Sequence, residues 1–182
     1  MPKKTKKSVA KSKKKLSIAK KSPAKRKLKK VPATPKGYHS ITPYLMVKEA
    51  KKAIEFYKKA FGAKLGMCME KSKGKIGHAE LKIGDAKIML ADECPGMNAH
   101  SPKTYGGSPV GIHLYIKDVD KVVKRAVAAG AKLNRPVKDM FYGDRCGAIT
   151  DPYGHSWYVS THIEDVSPAQ MKKRMAELSK KY

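Results

Sequence analysis

Thr42-Pro-Tyr-Leu-Met-Val-Lys-Glu-Ala-Lys-Lys-Ala-Ile54 and Gly111-Ile-His-Leu-Tyr-Ile-Lys-Asp-Val-Asp-Lys-Val-Val123 are two versions of one pattern. At an offset of 69 residues Leu45 meets Leu114, Lys48 meets Lys117 and Lys52 meets Lys121. After a slip of one residue, Gly62-Ala-Lys-Leu65 meets Gly130-Ala-Lys-Leu133. A strand, a helix and a glycine stop recur in the same order, so the chain carries an internal duplication.

Reading outward, Ile41 to Val47 is rich in β-formers. Ala50, Ala53, Ile54, Tyr57 and Phe61 then fall at helical spacing and end at Gly62. In the second half Asp118 is placed to cap a helix that buries Val119, Val122, Val123, Ala126 and Val127 and stops at Gly130. Three strands are expected after each helix. The first set is Lys64–Glu70, Ile76–Ile83 and Lys87–Ala91, with Gly84-Asp85 as a hairpin turn. The second is Lys132–Val137, Arg145–Thr150 and His155–Ser160, with the turn Asp151-Pro-Tyr-Gly154. The expectation is an α+β domain over residues 38–166, built of two βαβββ modules near 38–93 and 108–166. Residues 167–182 open on Ser167-Pro-Ala-Gln170, a capping box with Pro at the first helical position. They predict a short amphipathic helix carrying Met171, Met175 and Leu178.

Charge divides the chain in two. Of 41 Lys+Arg and 15 Asp+Glu, 16 basic residues and no acid precede Tyr38, which leaves 25 against 15, or +10, for the body. Residues 1–37 form a Lys/Ser/Ala/Pro segment that cannot bury a core and is expected to be disordered alone. Its charges are Lys3, Lys4, Lys6, Lys7, Lys11, Lys13, Lys14, Lys15, Lys20, Lys21, Lys25, Arg26, Lys27, Lys29 and Lys30, followed by Lys36. With no interleaved aromatics to stack on bases, the expected partner is nucleic acid held non-specifically through phosphates. Around Lys20-Lys-Ser-Pro-Ala-Lys25 the composition resembles linker-histone and bacterial histone-like tails. A solubilising or targeting tail is the alternative reading. No apolar run approaches the ~18 residues of a membrane span, and no apolar core follows the basic start as in a secretory signal. Cys68, Cys94 and Cys146 are odd in number and scattered, which fits a reducing cytoplasm, with nucleoid or chromatin association through the basic segment.

The body resembles the vicinal-oxygen-chelate superfamily of glyoxalases, bleomycin-resistance proteins and extradiol dioxygenases, and its PhnB-like branch in particular. The resemblance rests on Thr42-Pro-Tyr-Leu-Met-Val47, Ala53-Ile-Glu-Phe-Tyr-Lys-Lys-Ala-Phe-Gly-Ala63 and Gly77-His-Ala-Glu-Leu-Lys-Ile-Gly-Asp85. It continues through Ile88-Met-Leu-Ala-Asp-Glu93, Phe141-Tyr-Gly-Asp-Arg145 and Asp151-Pro-Tyr-Gly-His-Ser-Trp157. It implies an eight-stranded mixed sheet curled around a cleft, and a homodimer. Enzymes of this group carry His or Gln at the start of the first strand of each module and Glu on the last strand of each. Those positions fall on Thr42, Met89, Gly111 and Tyr158. None is a good ligand for a divalent metal, so no metal or other cofactor is expected, nor the metal-dependent lyase or dioxygenase chemistry of that site.

Strand parity predicts what lines the cleft instead. Tyr44 and Met46 share the face of Thr42; His113 and Tyr115 share that of Gly111; His78, Glu80 and Lys82 lie opposite the apolar Ala79, Leu81 and Ile83. The expected floor is Tyr44, Met46, His78, Glu80, Met89, His113, Tyr115 and Tyr158, with Arg145 reaching it from Gly143-Asp-Arg145. Aromatics and methionines around a few polar groups suit a small molecule. His113, with His78 and Glu80, is the candidate for acid–base catalysis. A plain His78–Glu80 hydrogen bond and a displaced metal site of His78, Glu80 and His113 are the competing readings. Asp144 and Arg145 read as a loop-fixing ion pair, and Trp157 as core. His39, His100 and His162 carry no assigned chemistry, and residues 92–107 read as a linker rather than a lid.

Three functions follow as alternatives. They are a PhnB-like small-molecule-binding protein without the usual metal, a bleomycin-resistance-like sequestering protein, and a histone-like DNA-associated protein using the body as a dimerising platform. A body of +10 weighs against capture of a cationic drug.

Overall fold

The computed structural model describes residues 31–180. The basic residues from Lys3 to Lys30 assigned to nucleic acid lie outside the described residues. The compact body begins at Thr34. Its first module is β1 (Tyr44–Val47), α1 (Ala50–Phe61), β2 (Lys64–Glu70), β3 (Ile76–Ile83) and β4 (Ala86–Asp92). A linker with one short helix, α2 (Pro102–Tyr105), leads to β5 (Gly111–Tyr115), α3 (Val119–Ala128), β6 (Lys132–Asp139), β7 (Asp144–Thr150) and β8 (Ser156–His162). Helix α4 (Pro168–Ser179) follows. The α+β class and the paired βαβββ modules are as the repeat predicts. The eight strands form two four-stranded sheets, ordered β1-β4-β3-β2 and β5-β8-β7-β6, with β1 and β5 each at an edge. Among the described residues no helix is long and apolar enough to cross a membrane.

Local chemistry sets the helix ends. Gly62 takes φ +69, and its N–H closes on the Lys58 carbonyl; a side chain there would be strained. Asp118 accepts from the Lys121 N–H at the start of α3, and Ser167 and Gln170 complete the capping box of α4. Pro43 lacks an N–H, and β1 begins only after it, leaving Thr42 outside the strand. Val127, expected in the core, lies at the end of α3 and is exposed.

One core spans both modules. Helices α1 and α3 pack against each other between the sheets, each covering the inner face of its own sheet. The α1 rings of Tyr57 and Phe61 meet Trp157 of β8 at centroid distances of 5.7 and 4.8 Å. A large apolar side chain buried in this way contributes about 1.5–3 kcal/mol. Asp151, 3% exposed, binds this layer together. Its Oδ2 accepts from the Tyr57 hydroxyl at 2.7 Å and the Trp157 indole N–H at 2.9 Å, and its Oδ1 from the N–H groups of Tyr153 and His155. Arg125 adds a bond from its Nε to the Ala60 carbonyl. In the linker, Glu93 accepts from the Ser101 N–H and the Thr104 hydroxyl. These two donors hold its carboxyl down at about 2.

Candidate functional site

With the helices in the middle, each sheet turns its other face outward, and the residues expected on one cleft floor divide between these two faces, a first and a second floor. Leu45 and Val47 are buried under α1, whereas Tyr44 is 43% exposed. On the first floor Met89 pairs with both Tyr44 and Glu80, and Met69 pairs with His78. Gly66 and Met67 share a bulge opposite Glu80. The polar groups form a chain. Tyr44 Oη lies 3.0 Å from His78 Nδ1, His78 Nε2 lies 3.6 Å from Glu80, and Lys87 Nζ sits 3.0 Å from the other Glu80 oxygen. The Tyr38 hydroxyl and the Lys87 ammonium hold the Glu80 carboxyl below the usual carboxylate range. Glu80 is therefore a charged, engaged group, and His78 is an oriented ring between a phenol and a carboxylate.

The second floor is a row of rings. His113 lies 4.7 Å from Tyr115 at 27° and 6.2 Å from Tyr158 at 29°. His113 Nε2 is 2.9 Å from the buried Ser160 hydroxyl. Tyr115 donates to Asp144 Oδ2 at 2.8 Å, and the other Asp144 oxygen lies 2.8 Å from His162 Nδ1. His162 Nε2 reaches Asp165 at 3.0 Å. The bond to Asp144, with burial second, raises the Tyr115 hydroxyl above its ordinary value, so Tyr115 is a donor rather than a base.

The structure does not bring all the expected residues together. Tyr44, Met46 and His113 line one groove between the edges of β1 and β5, whereas His78 and Glu80 stand on β3, two strands in from the β1 edge. Among the described residues no three His, Cys, Asp or Glu side chains meet as a metal-holding group. Arg145 is turned away from the floor. Its Nε and Nη2 fork onto Asp120 at 2.7 and 2.8 Å, and its Nη1 reaches Asp139 at 2.7 Å. Alternation along β7 explains this, since Asp144 is on the floor and its neighbour must point to α3. The expected Asp144–Arg145 pair is thereby replaced by Asp144–His162 and Asp120–Arg145. Arg135 of β6 is the arginine that stands by the floor, its guanidinium 5.8 Å from the Tyr158 ring.

The family's metal positions do not fit a metal in this fold. Met89 and Tyr158 offer a thioether and a phenol, and Thr42 precedes the strand. The Tyr158 ring occupies the space a side chain at residue 111 would need, because a β-carbon on Gly111 would run into its Cε2. The place of an imidazole is filled by a phenol ring.

Sequence reading assigned His162 no chemistry because it ended the last strand at Ser160. The strand runs two residues further and keeps His162 in phase with Tyr158 and Ser160. Asp144 first, then Asp165, raise the imidazole above its ordinary value. A raised folded-state value means the stabilising contribution is complete below the ordinary histidine range, about 6.5, and is lost as pH rises through the raised one. An NMR titration of His162 should therefore give a midpoint above that range, moving back toward it in Asp144→Asn. An unshifted midpoint in the parent protein would contradict the contact.

The model of the Glyoxalase/Bleomycin resistance protein/Dioxygenase superfamily matches residues 37–159, which leaves the Lys-rich segment outside the match. An uncharacterised protein of Mycobacterium bovis is 38% identical over 141 residues, covering 75% of this chain and 92% of its own. TioX from Micromonospora sp. ML1 superposes with a TM-score of 0.53 at 24% identity, covering 68% of this chain and 98% of its own. A PhnB protein from Bacillus cereus, described as a putative 3-demethylubiquinone-9 3-methyltransferase, superposes with a TM-score of 0.51 at 19% identity, covering 68% and 99%.

Proposed function

This chain belongs to the Glyoxalase/Bleomycin resistance protein/Dioxygenase superfamily, and from that premise we propose that it is a PhnB-like member that binds a small organic molecule between the floors of two copies, without the family's metal. The observation that carries this reading is the pair of outward floors. The first sets Tyr44, Met69 and Met89, and the second the rings of His113, Tyr115 and Tyr158, around a few oriented polar groups. Met69, Tyr115 and Tyr158 are exposed, and apolar surface presented in this way marks a binding face.

A second copy is the covering partner that the fold favours. The edges of β1 and β5 flank a groove of about 580 Å3 lined by Ile41, Pro43, Tyr105, Pro109, Val110 and Ile112. Ile41 and Val110 are exposed there. Edges related by an internal repeat suit an isologous contact, in which the β1 edge of one copy meets the β5 edge of the other. That contact places the first floor of one chain beside the second floor of its partner. The Lys-rich segment, in this reading, adds a non-specific hold on nucleic acid, supported by the segregation of charge before Tyr38.

Methionine methyl groups report on the floor directly. Protein labelled at its methionine methyls should show saturable, concerted shifts at Met46, Met69 and Met89 with aromatic fragments. Shifts scattered over the surface, or none with the fold intact, would remove the binding reading.

A further inference from the structure

Arg135 differs from the other described arginines. Arg125 donates to a carbonyl, Arg145 to two carboxylates, and Arg174 to Glu164 and the Phe141 carbonyl. Arg135 finds only the thiol of Cys146, 3.4 Å from its Nη2. Its Nε is buried with no hydrogen-bond partner, and no carboxylate pairs with it among the described residues. Sulfur is a weak acceptor, so the half-buried guanidinium holds a buried Nε–H that has lost water without gaining a bond. The Tyr158 ring beside it offers a π-face, which attracts the cation but satisfies no N–H.

The placement of this charge is specific. Tyr115, His113 and Tyr158 form a row of near-parallel rings, and Arg135 stands at the Tyr158 end. A flat ring laid along the row meets the ring edges in edge-to-face contacts. An acid group on its rim meets a fork shaped for two oxygens, which is the geometry arginine matches best. The other ionised groups of this floor are already engaged, since Asp144 is held by Tyr115 and His162.

We propose that the second floor selects a planar aromatic anion, its ring against the His113 and Tyr158 rings and its carboxylate or equivalent oxyanion on Arg135. The proposal rests on the small-molecule reading of the floor and names the ligand class. It also disfavours a cationic drug there.

The test uses full-length protein and two probes of the same shape, 2-naphthoate and the neutral 2-naphthalenemethanol, titrated calorimetrically. Naphthoate should bind at least about tenfold more tightly, the increment of one charge-assisted contact. Arg135→Gln should erase that preference, bringing the two probes to equal affinity. Arg135→Lys, which keeps the charge without the fork, should retain part of it. Arg174→Gln, whose ion pair with Glu164 lies elsewhere, should retain all of it. Equal binding of the two probes by the parent protein, or a preference that survives Arg135→Gln, overturns the anion assignment while leaving the binding floor standing. Failure of both probes to bind overturns the floor reading as well.

Discussion

Replacing Asp151 by Ala should destabilise the body by about 4 kcal/mol, because it strips one buried carboxylate from four donors. The Tyr57 hydroxyl, the Trp157 N–H and two backbone N–H groups lose their acceptor at once, in a buried layer. Two of those donors come from different modules, so the loss falls on the docking of α1 against the second sheet. Burial first, and the Asp151 charge second, push the Tyr57 hydroxyl well above its ordinary value, so it stays a donor throughout the working pH range. For a domain of this size the change corresponds to a fall in Tm of roughly 8–16 °C. Asp151→Asn, which keeps one acceptor oxygen, should lose less. Thermal unfolding followed by circular dichroism decides the matter, and an Asp151→Ala protein within 2 °C of the parent would contradict the role given to this carboxylate.

The Lys-rich segment should produce the other large effect. A polycation of 16 uncompensated charges binds duplex DNA by releasing counterions. If about half of them engage phosphates, affinity should fall roughly a thousandfold or more between 50 and 200 mM salt. Sequence should matter little, since phosphate contacts carry no base information. Dimerisation would bring two segments together and add avidity wherever both reach one duplex. A chain starting at Tyr38 should keep its fold and lose most of the binding. Equal affinity and equal salt slope for the two proteins would move the nucleic-acid contact to the body or dismiss it.

Most of the architecture was legible before any coordinates, for reasons that can be named. The repeat gave both modules because Gly62 and Asp118 are local signals, sufficient in themselves to end one helix and start another. The floors were legible wherever apolar and polar residues alternate cleanly, as in His78-Ala-Glu-Leu-Lys-Ile83. Parity failed on β7, where Cys146, Gly147 and Ala148 are all small and offer no contrast between faces. Arg145 was therefore expected to reach the floor and Asp144 to pair with it, whereas Asp144 holds Tyr115 and His162. Arg135 escaped notice for a related reason. Register shifts in β6 on either side of it break the count of two that parity depends on. The division of the expected floor between two sheets was not legible at all. It depends on α1 and α3 packing against each other, a contact between distant segments that no local pattern encodes.

Paramagnetic relaxation in a mixed dimer tests the central claim, that the first floor of one chain faces the second floor of another. A chain with Met69→Cys, in a background of Cys68→Ser and Cys94→Ser, would carry a spin label on the first floor and no isotope. Mixed with isotope-labelled, unmodified chains, it should broaden the amide signals of His113, Tyr115 and Tyr158 in the labelled copy and leave α1 sharp. A monomeric mass, or a dimer whose broadening falls on other surfaces and spares the second floor, would contradict the shared cleft.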